Sequence, residues 1–104
     1  MIVFTVTVLD IIGDPVLGNR RTPAIFTSLI DAIKALQNNE EDMADDNFYQ
    51  YAVIEETLLN VIRPKIDGGE RLWFKYNSIT DEFEPCEQSS VPNRIARLYG
   101  FGIG

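Results

Sequence analysis

Phe48-Tyr49-Gln50-Tyr51-Ala52-Val53-Ile54-Glu55-Glu56 is the stretch on which the reading of this chain turns. Aromatic and β-branched residues fill it, and both alternating sets of side chains are apolar until the two glutamates. Such a run reads as a strand, and one that is apolar on both sides reads as a central strand. Glu55 and Glu56 then point to opposite faces, so they cannot work together as a carboxylate dyad. Just upstream lies the most acidic run of the chain, Glu40-Glu41-Asp42-Met43-Ala44-Asp45-Asp46-Asn47.

Toward the N-terminus, residues 2–12 form a β-branched run of period two. Phe4, Val6 and Val8 share one side, and Val3, Thr5, Thr7, Leu9 and Ile11 the other; the side bearing threonine is expected to be the less buried. Gly13-Asp14-Pro15-Val16-Leu17-Gly18 is a turn by composition. Residues 19–26 return as a strand, and Pro23, which cannot donate to a ladder, either places it at a sheet edge or breaks it there. Leu29, Ala32, Ile33 and Leu36 then recur at helical spacing. Ser28 is positioned to cap this helix with Asp31 in its first turn, and Asn38-Asn39 to end it, giving a helix over 29–38.

Toward the C-terminus, residues 58–62 are apolar but fit either a strand continuation or a helical turn, and 63–70 form a loop by their Pro and Gly-Gly. Residues 71–76 and 82–86 read as a hairpin about a turn at 77–81, with Pro85 marking the last strand as an edge. Trp73 and Phe83 are expected to face each other across it. Residues 87–91 read as a linker. Pro92 opens a short helix carrying Ile95, Leu98 and Tyr99 on one face and stopped by Gly100. Phe101-Gly102-Ile103-Gly104 reads as a docked segment. The expected fold is α+β: an antiparallel sheet of about five strands in one domain over 1–104, two hairpins flanking the central strand, one main helix on one face and a short C-terminal helix.

At 104 residues with 45% apolar and 11% aromatic content, the chain builds an ordinary globular core. A net charge of −7 argues against direct nucleic-acid binding, which needs a Lys/Arg footprint, and favours solubility or a basic partner. The single cysteine, Cys86, excludes an internal disulfide and fits a reducing, cytoplasmic setting. No run is long and apolar enough for a membrane span, and the N-terminus lacks the basic region of a signal peptide.

Histidine is absent, which removes Ser-His and Cys-His dyads and histidine metal sites. Cys86 lies beside Glu87, and a neighbouring carboxylate raises a thiol pKa, the wrong direction for a nucleophile. The acidic run lacks the glycine and closing glutamate of a calcium loop and reads as a solvated loop or a docking patch for a basic surface. The terminal glycines open no helix, so they make no dinucleotide site. No catalytic residue, metal or cofactor is expected. The candidate ligand-binding residues are Arg20, Arg21, Tyr49, Tyr51, Glu55 and Trp73, since an arginine among aromatics suits a planar anion. Alternation puts Arg20 and Arg21 on opposite faces.

Arg21-Thr22, the helix with its Asn-Asn stop, Tyr49-Gln50-Tyr51-Ala52-Val53-Ile54-Glu55, Trp73-Phe74 and the terminal Phe101-Gly102-Ile103-Gly104 together resemble a group of small hypothetical proteins of Gram-positive bacteria and their phages or mobile elements. The resemblance covers most of the chain and carries no activity or site with it. It implies an accessory protein of a mobile element. The function expected is a non-enzymatic protein that acts by protein–protein contact, as a homodimer if one helix leaves the second sheet face open. The alternatives are a protein that sequesters a nucleotide-like ligand and an acidic nucleic-acid mimic that binds a basic partner.

Overall fold

In a computed structural model of the chain, residues 2–10, 19–58 and 71–91 are described. They form five strands, β1 (Ile2–Asp10), β2 (Asn19–Phe26), β3 (Tyr51–Leu58), β4 (Arg71–Asn77) and β5 (Glu82–Cys86), and one α-helix, α1 (Leu29–Gln37). The sheet order is β2-β1-β3-β4-β5, and every pairing is antiparallel. The fold is α+β, with β3 in the middle and a hairpin on each side. The two prolines mark the two edges: Pro23 lies in β2 and Pro85 in β5, the outer strands. The expected C-terminal helix lies outside the described residues, as do 59–70 and the terminal segment.

The helix forms where the spacing of apolar residues requires it. Ser28 has an extended backbone, and its Oγ accepts the Asp31 N–H at 3.4 Å. Ala32, Ala35 and Leu36 turn inward onto Val6, Val8, Ala52, Ile54, Phe74 and Phe83. Large side chains that are buried in this way each contribute about 1.5–3 kcal/mol. At the other end, Asn38 and Asn39 N–H groups donate to the Lys34 and Leu36 carbonyls, and Asn39 takes the left-handed conformation at φ 45°.

Three sequence expectations need correction. The central strand begins at Tyr51, and Phe48, Tyr49 and Gln50 belong to the preceding loop, since Asn47 at φ 71° turns the backbone away from extended geometry. The threonine side of β1 is buried: Val3, Thr5, Thr7 and Leu9 are each at most 2% exposed. Its hydroxyls satisfy one another, Thr5 with Thr57 and Thr7 with Thr22, each pair at 3.0 Å, so threonine packs there much as valine does. This second face also holds Leu9, Val53, Trp73 and Val91 in a compact cluster. Among the described residues this face is therefore largely buried.

The third correction concerns the second hairpin. Asn77 pairs with Glu82, which fixes Trp73 opposite Cys86 and Tyr76 opposite Phe83. Trp73 therefore joins the second-face cluster while Phe83 lies under the helix. The aromatic contact of this hairpin is Tyr76 with Phe83, at 5.3 Å between ring centroids. A turn shorter by one residue than the sequence reading changed the register, and a change of one residue exchanges the faces.

Candidate functional site

At one end of the sheet the acidic run and the β4–β5 turn are fastened into a single corner by Asn39. Its side chain is buried in spite of its amide, being 6% exposed, and every part of that amide is used. Nδ2 donates to Asp42 Oδ1 at 3.1 Å and to Asp81 Oδ1 at 2.9 Å, and Oδ1 accepts the Ala44 N–H at 2.9 Å. Asp42 Oδ2 accepts the Asp46 N–H at 3.0 Å. Met43 and Ala44 enter the core beneath α1 and anchor the run from below. The run begins as a 3-10 turn at Glu40–Asp42.

The backbone explains much of the composition here. Asn39, Glu41, Asp42, Asp45, Asp46 and Asn47 all have positive φ. A residue with a Cβ resists that region by roughly 1–2 kcal/mol, and Asn and Asp resist it least. Every one of these positions except Glu41 is Asp or Asn. The run is acidic partly because its conformation selects Asp, a signal legible as Asx residues spaced through a segment without glycine.

Glu40, Glu41, Asp42, Asp45 and Asp46 are exposed, and among the described residues none of them forms an ion pair. Tyr76 donates its hydroxyl to Asp81, which pushes the phenol up to about 12; burial and the charges of Asp81, Asp42 and Asp46 act in the same direction. Two large apolar side chains are exposed on these segments: Phe48, 38% exposed, after the acidic run, and Ile79, 93% exposed, at the tip of the turn, where it lines a groove with Lys75, Glu84 and Cys86.

The expected ligand-binding residues divide between the two faces. Arg21 pairs with Val8 on the helix side, and its guanidinium lies over the Tyr49 ring at 5.5 Å from the centroid. Beside it runs a groove of about 390 Å³ whose lining includes Thr22, Phe26, Glu40, Glu41 and Met43. Arg20 pairs with Leu9 on the other face, and Tyr51 flanks Leu9 from β3. Trp73 packs on Val53 in the second-face cluster. Glu55 is buried there and accepts Arg71 Nε at 3.1 Å, with its other oxygen unbonded. The structure thus joins Arg21 to Tyr49, and separately sets Tyr51 beside Trp73, but does not gather the six residues at one pocket. Sequence reasoning missed Arg71, the ion partner of Glu55, and also Asn39, Tyr76 and Asp81.

The thiol of Cys86 is half-buried, and burial pushes its pKa up; Glu87 adds to this, while the Ser90 hydrogen bond and Lys75 oppose it. Among the described residues no group of three or more Cys, Asp or Glu is placed to hold a metal ion, and no helix is long and apolar enough to cross a membrane. Comparison with protein-family models, with curated proteins and with solved structures finds no match to this chain.

Proposed function

We propose that this chain is a non-enzymatic interaction protein that docks a basic protein surface through its acidic corner. The observation that carries this reading is the cluster of carboxylates at one corner: Asn39 ties Asp42 of the loop to Asp81 of the hairpin, and Glu40, Glu41, Asp42, Asp45 and Asp46 form no ion pair among the described residues. A loop and a turn already tied together have less backbone freedom to lose on binding than two separate loops would. The overall charge of −7 steers a basic partner toward it. A partner whose basic surface normally holds a phosphate backbone fits the same chemistry. A nucleotide-like ligand is less favoured, because the groove that presents Arg21 also presents Glu40 and Glu41, and both repel an anion.

The test combines Glu40→Gln, Glu41→Gln, Asp45→Asn and Asp46→Asn in one variant. Asn replacements keep the left-handed backbone accessible, so charge is removed with the conformation retained. Affinity for the partner identified by cross-linking should fall, and its salt dependence should flatten. Unchanged affinity in the variant, or a complex of the native protein that is indifferent to salt, overturns the reading.

A further inference from the structure

We propose that the groove between β2 and the acidic run binds a short free peptide carrying a basic residue, an apolar side chain and a terminal carboxylate. The site shares Glu40 and Glu41 with the acidic corner but does not depend on the docking function proposed for it. To the lining of the groove β2 supplies Arg21, Ala24 and Phe26, and the acidic run supplies Glu40, Glu41 and Met43. Ala24 pairs with Val6 and Phe26 with Phe4, and both pack against the core beneath α1, where Met43 is buried. Arg21, Glu40 and Glu41 are exposed. The groove therefore has an apolar floor and a charged rim.

The rim carries both signs of charge. Among the described residues no ion pair joins Arg21 to either glutamate, so opposite charges line one groove of about 390 Å³ without neutralising each other. An anion alone meets the glutamates and a cation alone meets Arg21, whereas a ligand with both charges satisfies the whole lining. Two carboxylates against one guanidinium are complemented by two cationic groups and one carboxylate, the charges of a basic–apolar dipeptide. The Tyr49 ring, 5.5 Å from the Arg21 guanidinium, restrains that long side chain without consuming a carboxylate, and its fork of N–H donors suits the peptide terminus. Glu41 is held at φ 52°, a region that Asp or Asn tolerates better, and backbone strain of this kind collects at binding sites. The mode of binding follows from the edge strand. Val6 pairs with Ala24 and Val8 with Arg21, so β2 bulges at Thr22 and Pro23. A bulge that contains proline cannot extend the ladder, so the occupant is held by its side chains and termini and not as an added strand. The volume lies near the lower end of small-ligand sites, about 300–1,000 Å³, which suits a peptide of a few residues and not a folded surface.

The dipeptide Lys-Leu is titrated into the isotopically labelled full-length protein at low ionic strength, and amide NMR shifts are followed. Saturable shifts are expected at Arg21, Ala24, Glu40 and Glu41. Affinity should fall at least about tenfold for the C-terminally amidated peptide, for norleucine-Leu and for Arg21→Gln, since each removes one charge-assisted contact. Glu41→Asn should bind more weakly although it relieves the strained backbone, a pairing that a purely structural role for Glu41 would not give. Asp45→Asn combined with Asp46→Asn leaves the groove charges in place and should bind within about twofold of the native protein. No saturable shift, an amidated peptide bound within about twofold of the free one, or an equal loss in the Asp45, Asp46 variant overturns the site and leaves the acidic docking function standing. An N-acetylated peptide bound as tightly as the free one overturns the assignment to a free peptide. Should Arg21→Gln fail to fold, the amidated peptide on the native protein decides the role of Arg21.

Discussion

Replacing Asn39 by alanine should unfasten the acidic corner, and the size of the loss follows from its bonds. The Ala44 N–H loses its acceptor in a buried position, which costs about 1–3 kcal/mol. The two donors to Asp42 and Asp81 disappear, at roughly 1 kcal/mol together since both acceptors are exposed to water. Alanine must also hold φ near 45°, for roughly 1 kcal/mol. The sum is a loss of about 3–5 kcal/mol in urea unfolding at neutral pH, a large share of a typical domain's stability. Two companions separate the terms. Asn39→Gly removes the backbone penalty and should be more stable than the alanine variant by about 1 kcal/mol. Asn39→Asp keeps the acceptor for Ala44 but sets a carboxylate against Asp42 and Asp81. It should be strongly destabilised at neutral pH and recover, relative to the alanine variant, as pH falls into the carboxylate range near about 4. A loss under about 1 kcal/mol for Asn39→Ala, or glycine and alanine variants of equal stability, would refute the reasoning.

Glu41, the one left-handed residue of the run that is neither Asp nor Asn, sits at φ 52°; Glu41→Asn should raise stability by about 0.5–1 kcal/mol, seen as a higher melting temperature. Tyr76 has a folded pKa raised from 10.0 to about 12, so its bond to Asp81 contributes fully below pH 10 and is lost as pH rises through about 12. Native stability should therefore fall across that window more steeply than that of Tyr76→Phe, in unfolding curves taken at each pH. Arg71→Ala strands the buried Glu55 carboxylate and should cost about 3 kcal/mol in chemical unfolding, while an Arg71→Met, Glu55→Met pair should return to within roughly 1 kcal/mol of the native protein.

Local chemistry made the architecture legible. Period-two alternation located β1, helical spacing and Ser28 located α1, and the two prolines identified the edges before any pairing was known. What local chemistry does not carry is register and satisfaction at a distance. The threonines of β1 looked solvent-facing because their partners, Thr57 and Thr22, lie on other strands. Phe48 and Tyr49 looked like strand because their β propensity is high, but the turn-forming Asx residues before them decide the backbone. The site was visible only as composition. Its organising bond, from Asn39 to Asp81, spans 42 positions, and no pattern within either segment announces it.

The seam between β1 and β3 divides the molecule into two parts with different histories during folding. The hairpins β1–β2 and β4–β5 join neighbours in sequence, and hairpins form within about 1–10 μs. The seam joins Thr5 to Thr57, 52 positions away, so it must wait for a long loop to close. Until then β3, with apolar side chains on both faces, offers an unpaired edge to any other chain. Refolding yield should therefore depend on concentration, with aggregation set by how long that edge stays open.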